Sequence, residues 1–280
     1  MTITDEVGYR RITVTPLTPV IGAEVSGVNL AAIDDETWAE VLDAFARHIV
    51  VFFRDQELTP EQHKAMGRRL GPLHVHPSSP TLDGHPELMI IHADEQSKFV
   101  NGGGWHTDVS CDELPPMASI LHLTVTPPAG GDTLFASMYA AYEGLSPTMQ
   151  EFLSGLTARH ESRHVYGGLY GESEEGSRDG KFPSAIHPVV RTHPVTGRKA
   201  LYVNRAFTTR IVELSSAESR ALLRFLFDQQ ENPAYQCRFQ WAPGSVAMWD
   251  NRCAHHLAIW DYFPNTRSGL RVSVVGDRPV

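Results

Sequence analysis

Two short stretches of this chain hold residues suited to binding a metal ion. The first, NGGGWHTDVSC at 101–111, places His106 and Asp108 two residues apart behind three glycines and a tryptophan. On an extended backbone such positions point to one face, so an imidazole and a carboxylate would converge. The spacing alone is a weak signal, because a chain with 14 histidines and 33 acidic residues produces such pairs by chance. His92 and Asp94 form another pair. His85 and Glu87 form a third, although Pro86 between them argues against a regular strand.

The second stretch, SVAMWDNRCAHHLAIWDYFPNTRSGLRVSVV at 245–275, contributes the adjacent histidines His255 and His256. Neighbours on an extended backbone face opposite ways, so at most one of them can join a His-x-Asp pair. Two imidazoles and one carboxylate on one face of a metal leave three positions open, as iron(II) oxygen chemistry requires. A closed zinc site needs a fourth protein ligand, and Cys111, Cys237 and Cys253 lack any such spacing. A catalytic zinc hydrolase also uses three ligands, so it stands as an alternative. Further along, the alternation in SGLRVSVV puts Arg271 on a face with small or polar side chains. A pocket-lining arginine there can take a carboxylate with both arms of its fork.

The elements that must position these residues are partly legible. LTPEQHKAMGRRLG (58–71) predicts a helix with Thr59 as N-cap, Pro60 at its first position, Gln62 closing a capping box and Gly71 as stop. LSPTMQEFLSG (145–155) repeats that grammar with Ser146, Pro147 and Gly155. LSSAESRALLRFLFDQQ (214–230) pairs Ser215 with Glu218. A further helix is expected over 35–48, leading into a buried strand, IVVFF. Short strands are read at ASILHLTV, AIHPVVRTH, ALYVN, YQCRFQW, SVAMWD and LRVSVV, with a hairpin turn at PVTGRK. Strands that do not alternate regularly with helices favour a β-sandwich or barrel over a doubly wound sheet. The Gly-, Ser- and Glu-rich segment 163–184 reads as a mobile loop.

At 280 residues the chain suits one elaborated β domain spanning 1–280. A net charge of −9 argues against a nucleic-acid partner or an anionic membrane surface, while a few arginines in a cleft could still receive a small anion. The longest apolar run, IVVFF, is too short for a membrane span. The first ten residues carry acids where a secretory leader has basic and apolar ones, and three unpatterned cysteines suit a reducing compartment. The expected location is the cytoplasm.

Several motifs then fall in one order: WHTD at 105–108, GGDT at 130–133, WDNR at 249–252, His256, Arg267 and Arg271. Together they resemble the taurine dioxygenase / 2,4-dichlorophenoxyacetate dioxygenase family of Fe(II)- and 2-oxoglutarate-dependent oxygenases. The resemblance runs over nearly the whole chain, including HPVVRTHPVTGRKALYVNRAFTTRIV and the final LRVSVVGDRPV. It implies a mainly β fold with flanking helices around a double-stranded β-helix, or jelly-roll, core. It implies His106, Asp108 and His256 as the catalytic iron ligands, in preference to the other pairs and to His255. Thr133 and Arg267 would take the distal carboxylate of 2-oxoglutarate. His76, Phe207 and Arg271 would surround the anionic head of the substrate.

By the same resemblance, O₂ and 2-oxoglutarate give succinate and CO₂ while a substrate C–H is hydroxylated. Related halogenases lack the carboxylate ligand, and Asp108 is present here. The implied substrate is a small or medium organic anion: taurine or another alkylsulfonate, a sulfate ester or an aryloxyalkanoate. Ser79 and Ser162 stand where taurine-using members carry aromatics, and Gly102 where they carry asparagine, which implies a wider pocket. Family members are often dimers or tetramers, so a homo-oligomer is expected. The competing readings are a metallohydrolase on a β scaffold and a non-catalytic 2-oxoglutarate-binding protein.

Overall fold

Alternating side chains build the centre of the structure, a computed structural model that describes residues 8–76, 79–100, 102–166 and 182–280. In the strand Val50–Phe53, Val50 and Phe52 enter one apolar cluster while Val51 and Phe53 enter another. Ser245–Asp250 divides the same way, with Ala247 and Trp249 on one side and Val246 and Met248 on the other. Ala118–Val125 sends Leu121 and Leu123 to the first cluster and Ala118 and Ile120 to the second. A period of two with apolar groups on both faces makes a sheet covered on both sides.

That sheet runs in the order Thr13–Pro16, Ala23–Ser26, Val50–Phe53, Ser245–Asp250, Ala118–Val125, Arg267–Val274, His85–Ala93 and Thr81–Leu82. Leu73–His74 also pairs with Arg267–Val274. A three-stranded sheet, Gln236–Phe239, Thr133–Ser137 and Ala254–Ala258, covers one face. Phe52 of the large sheet stacks on Phe239 at 3.9 Å between ring centroids and meets Phe135 edge-on at 5.5 Å. The helices Asp35–His48 and Pro60–Arg68 cover the other face through Trp38, Val41, Phe45 and Met66. The result is a jelly-roll core flanked by helices.

The helix signals act locally, as their chemistry dictates. Thr59 and Gln62 form a reciprocal capping box, as do Ser215 and Glu218, and Ser146 caps Pro147–Leu153. Pro86 departs from expectation, since it lies inside the strand His85–Ala93. The pairing of that strand with Arg267–Val274 begins only at Leu88, so the missing N–H interrupts no ladder bond there. Of the segment expected to be a mobile loop, Arg163–Tyr166 form a short helix and Ser184 opens the strand Ser184–Pro188. Positions 167–181 lie outside the described residues. Among the described residues no helix is long and apolar enough to cross a membrane.

The helix Pro60–Arg68 touches the sheet through His63, whose Nε2 donates to the Ile120 carbonyl at 3.0 Å. Full burial lowers its pKa from 6.5 to about 4. Burial shifts His48, His122 and His187 in the same direction. These groups stay neutral in the fold while the unfolded chain takes up protons. The stability they contribute is therefore intact above about pH 6.5 and is lost as pH falls toward 4. For His63 alone the fall from 6.5 to about 4 corresponds to about 3 kcal/mol. Calorimetry from pH 7.5 to 4.5 should show Tm falling steeply below about pH 6.5. A flat Tm across that range would contradict the buried neutral imidazoles.

Candidate active site

A short antiparallel bridge sets the geometry of the site. The His106 N–H donates to the His256 carbonyl at 3.1 Å, and the His256 N–H donates back to the His106 carbonyl at 2.8 Å. The two imidazoles therefore sit side by side with centroids 4.1 Å apart. His256 belongs to the strand Ala254–Ala258, while His106 is paired with it only by this bridge. Asp108 lies in a turn, with Val109 at φ +45°, so the extended strand expected around His106 and Asp108 does not form. The turn brings the carboxylate to the same point by another route.

Asp108 Oδ1 lies 3.8 Å from His106 Nε2 and 3.9 Å from His256 Nε2. These separations are too long for hydrogen bonds and suit three atoms around one cation, since two bonds of about 2.1 Å span up to about 4.2 Å. The Gly104 carbonyl lies 2.7 Å from His106 Nδ1, which must carry the ring proton and leave the Nε2 lone pair facing the site. His256 is held between the rings of Phe135 and Trp249. Burial lowers the pKa of both imidazoles, which keeps them in the neutral, ligating form. Burial alone would raise the Asp108 carboxyl, but the Arg271 guanidinium and the Ser119 hydroxyl hold it well below the usual carboxylate range. The donor set is thus two neutral nitrogens and an ionised oxygen, which fits a divalent transition metal.

A second grouping, His193, Asp250 and Cys253, is also buried and close. Its lone pairs are spent internally. Asp250 takes Arg252 at 2.8 and 2.6 Å and His193 Nε2 at 3.0 Å, while His193 Nδ1 accepts the amides of Val195 and Thr196. His92 and Asp94 pair with each other at 3.3 Å, away from the cavity. His85 Nδ1 faces Lys64 at 2.9 Å, and Glu87 faces Arg68.

The three ligand atoms open into a cavity of about 500 Å³. One end holds Arg267, buried, with its Nε on the Gly131 carbonyl at 3.0 Å and its Nη2 3.3 Å from Thr133 Oγ1. Desolvation lowers its pKa to about 10. No carboxylate among the described residues lies within ion-pair distance of it, and the nearby Asp132 is engaged by Arg238 at 2.6 Å. Trp241 Nε1 donates to Thr133 Oγ1 at 2.9 Å, so that hydroxyl accepts two N–H groups and turns its own proton outward. Nothing in the sequence singled out Trp241.

The other end carries His76, Phe207 and Arg271. His76 Nδ1 accepts the Ser79 amide at 3.0 Å, which leaves the Nε2 proton toward Tyr166 and the cavity. Phe207 meets the Tyr166 ring edge-on at 5.9 Å. Arg271 Nη1 donates to Asp108 Oδ1 at 2.7 Å, Nη2 reaches Met89 Sδ at 3.1 Å, and Nε is buried without an acceptor. Ser79 and Gly102 line the cavity. Ser162 does not: it is buried with its hydroxyl on the Pro183 carbonyl, and Tyr166, one helical turn later, forms the wall.

Two histidines and a carboxylate converge inside a jelly roll, in one cavity with a buried arginine that has no carboxylate partner among the described residues, and this donor set suits a non-haem iron oxygenase that uses a dicarboxylate. Residues 13–273 match the model of the "Taurine catabolism dioxygenase TauD, TfdA family", and the chain belongs to that family. It is 37% identical to an alpha-ketoglutarate-dependent sulfonate dioxygenase of Saccharomyces cerevisiae, over 96% of this chain and 68% of that one. It is 34% identical to an alpha-ketoglutarate-dependent sulfate ester dioxygenase of Pseudomonas putida, over 95% and 90%. A solved taurine dioxygenase from Burkholderia xenovorans superimposes with a TM-score of 0.84 at 39% identity, covering 97% of this chain and 93% of that one. The protein is an Fe(II)- and 2-oxoglutarate-dependent dioxygenase.

Gly102 stands at φ +81°, and a Cβ there would lie 3.1 Å from His106 Cε1. Gly104 has open space and no positive φ. Gly102→Ala should therefore cost about 1–2 kcal/mol of stability, while Gly104→Ala should leave it within about 0.5 kcal/mol. Thermal unfolding of the two variants decides the point, and equal Tm values would remove the strain assigned to Gly102.

Proposed function

We propose that His106, Asp108 and His256 hold the iron, that Thr133 and Arg267 anchor 2-oxoglutarate, and that His76, Phe207 and Arg271 surround the anionic head of the substrate. The observation that carries this reading is the pairing of three convergent ligand atoms with a buried guanidinium that, among the described residues, faces no carboxylate, in one cavity. When bound, iron(II) supplies the redox chemistry that couples oxidative decarboxylation of 2-oxoglutarate to insertion of one oxygen atom into a substrate C–H bond. The remaining work belongs to the chain. Arg267 and the outward proton of Thr133 fix the distal carboxylate and so orient the 2-oxo acid end toward the triad. His76 presents its ring edge, and Arg271 its positive charge, to the head of a second anion. Phe207, Val165 and Val100 exclude water from the space beyond.

The relatives named for a sulfonate and a sulfate ester support an organic sulfonate or sulfate as the substrate class. The mostly apolar lining at the outer end favours a tail longer than aminoethyl, at about 0.8 kcal/mol per buried methylene. Hydroxylation at the carbon bearing a sulfate oxygen gives a hemiacetal ester that collapses to an aldehyde and inorganic sulfate. We also take residues 1–280 to work as one domain within a homo-oligomer. A cytoplasmic location accords with three free, buried cysteines.

Two measurements test the reading. Arg267→Ala should weaken 2-oxoglutarate binding roughly 30-fold to several thousandfold, corresponding to about 2–5 kcal/mol for a lost charge pair. Arg267→Lys should recover only part, because a point charge cannot reproduce the fork. Unchanged 2-oxoglutarate affinity in Arg267→Ala would move the anchor elsewhere. In a panel scored by succinate release, hexyl and octyl sulfates and longer alkylsulfonates should outperform taurine. Taurine exceeding every longer anion would refute the wide-pocket reading.

A further inference from the structure

Asp108 has two carboxylate oxygens, and the surrounding hydrogen bonds treat them differently. Oδ1 faces both imidazoles and accepts Arg271 Nη1–H at 2.7 Å, while Oδ2 accepts the Ser119 hydroxyl at 2.7 Å. Ser119 in turn is 3.0 Å from Asn251 Nδ2 and 2.9 Å from Ser273 Oγ. Asn251 Oδ1 accepts Trp249 Nε1–H at 2.9 Å and the Asp108 amide at 3.3 Å. Ser119, Asn251, Trp249 and Asp108 are each at most 3% exposed. Ser119 sits in register with Trp249 on one neighbouring strand and with Ser273 on the other, so three strands hold the chain of bonds at one level.

The direction of this chain is forced. The Trp249 indole and the Asp108 amide can only donate, so the Asn251 atom they share must be the oxygen. The amide nitrogen then faces Ser119 and can only donate to it. Ser119 has one proton, and the ionised carboxylate is acceptor-only, so that proton goes to Asp108 Oδ2 and Ser273 must donate its own to Ser119. Every donor in the relay runs from the indole toward the carboxylate.

We infer that Ser119, set by Asn251 and Trp249, is a positioning residue that makes Asp108 a one-oxygen metal ligand. The Ser119 proton holds Oδ2 on its own side, while Oδ1 takes Arg271 Nη1 on one lone pair and turns the other toward the imidazoles, so the carboxylate cannot turn to chelate with both oxygens. This keeps a coordination position available. The WDNR motif thereby acquires a task for its tryptophan and asparagine. The inference rests on the metal-ligand reading above and adds to it a residue that touches neither metal nor substrate.

The test uses cobalt(II), whose visible d–d bands report coordination number, on the full-length protein. Asp108→Ala checks the underlying reading and should abolish tight cobalt binding. Ser119→Ala should weaken cobalt binding by about 10–100-fold, the range for loss of a hydrogen bond to a ligand, and should change the d–d spectrum. Ser273→Ala removes a second buried hydroxyl from the same network without touching Asp108. A purely structural network predicts that the two alanine variants lose Tm alike and keep the parent affinity and spectrum. That outcome overturns the inference, whereas normal cobalt binding by Asp108→Ala overturns the reading beneath it. Ser119→Cys keeps the shape with a weak donor and should fall between parent and alanine, which preserves the test if Ser119→Ala does not fold.

Discussion

An ionised carboxylate sealed between two sheets is expensive unless its surroundings repay the lost water. Asp108 is 3% exposed, and its charge is supported by the Arg271 guanidinium and the Ser119 hydroxyl. Each supporter comes from a different segment, so the carboxylate is stable only when the jelly roll is closed. The strand Arg267–Val274 brings Arg267, Arg271 and Ser273 to one face, and Ala118–Val125 brings Ser119. The site and the sheet are thus one piece of physics. Strand register fixes the donors, and the donors allow the charge.

The same dependence explains what the sequence reveals and what it hides. Capping boxes at Thr59–Gln62 and Ser215–Glu218 are readable because their partners lie three residues apart. Long buried strands such as Ala118–Val125 and Ser245–Asp250 are readable from continuous apolar composition. The metal-ligand set is only half readable. His106 and Asp108 attract notice, but their extended geometry was the wrong reason, since a turn and a bridge to His256 make them converge. Order among WHTD, GGDT and WDNR picked out these residues where spacing could not. Family membership of residues 13–273 agrees with that choice of pattern.

Other features lay beyond any local rule. Ser162 looked like a truncated pocket wall, yet the backbone turns its hydroxyl to Pro183 and presents Tyr166 instead. Trp241 and Ser119 carry no motif, and their roles exist only because strands far apart in sequence stand in register. Pro86 seemed to exclude a strand, but the N–H that proline lacks is not needed where no neighbour pairs. In each case the deciding fact is which side of a strand has a partner.

Formal charge adds a constraint on what the cavity will accept. On the proposed assignment, its buried fixed charges are the Asp108 carboxylate and the guanidinium groups of Arg267 and Arg271, with His106 and His256 neutral, while Arg205 at the rim is exposed and offset by Glu231 at 2.7 Å. The protein alone therefore presents one net positive charge, and a divalent ion raises it to three. A dianionic 2-oxo acid returns it to one, and a monoanionic substrate closes it to zero. A buried site of low dielectric is least costly near neutrality, so each ligand is drawn in by the field its predecessor leaves. The arithmetic closes at neutrality for one divalent metal, one dicarboxylate and one monoanion, whichever anion enters first. A dianion such as an alkyl phosphate would leave the closed cavity with an uncompensated negative charge beside Asp108. A monoester sulfate or a sulfonate, with the same tetrahedral head and one charge fewer, does not.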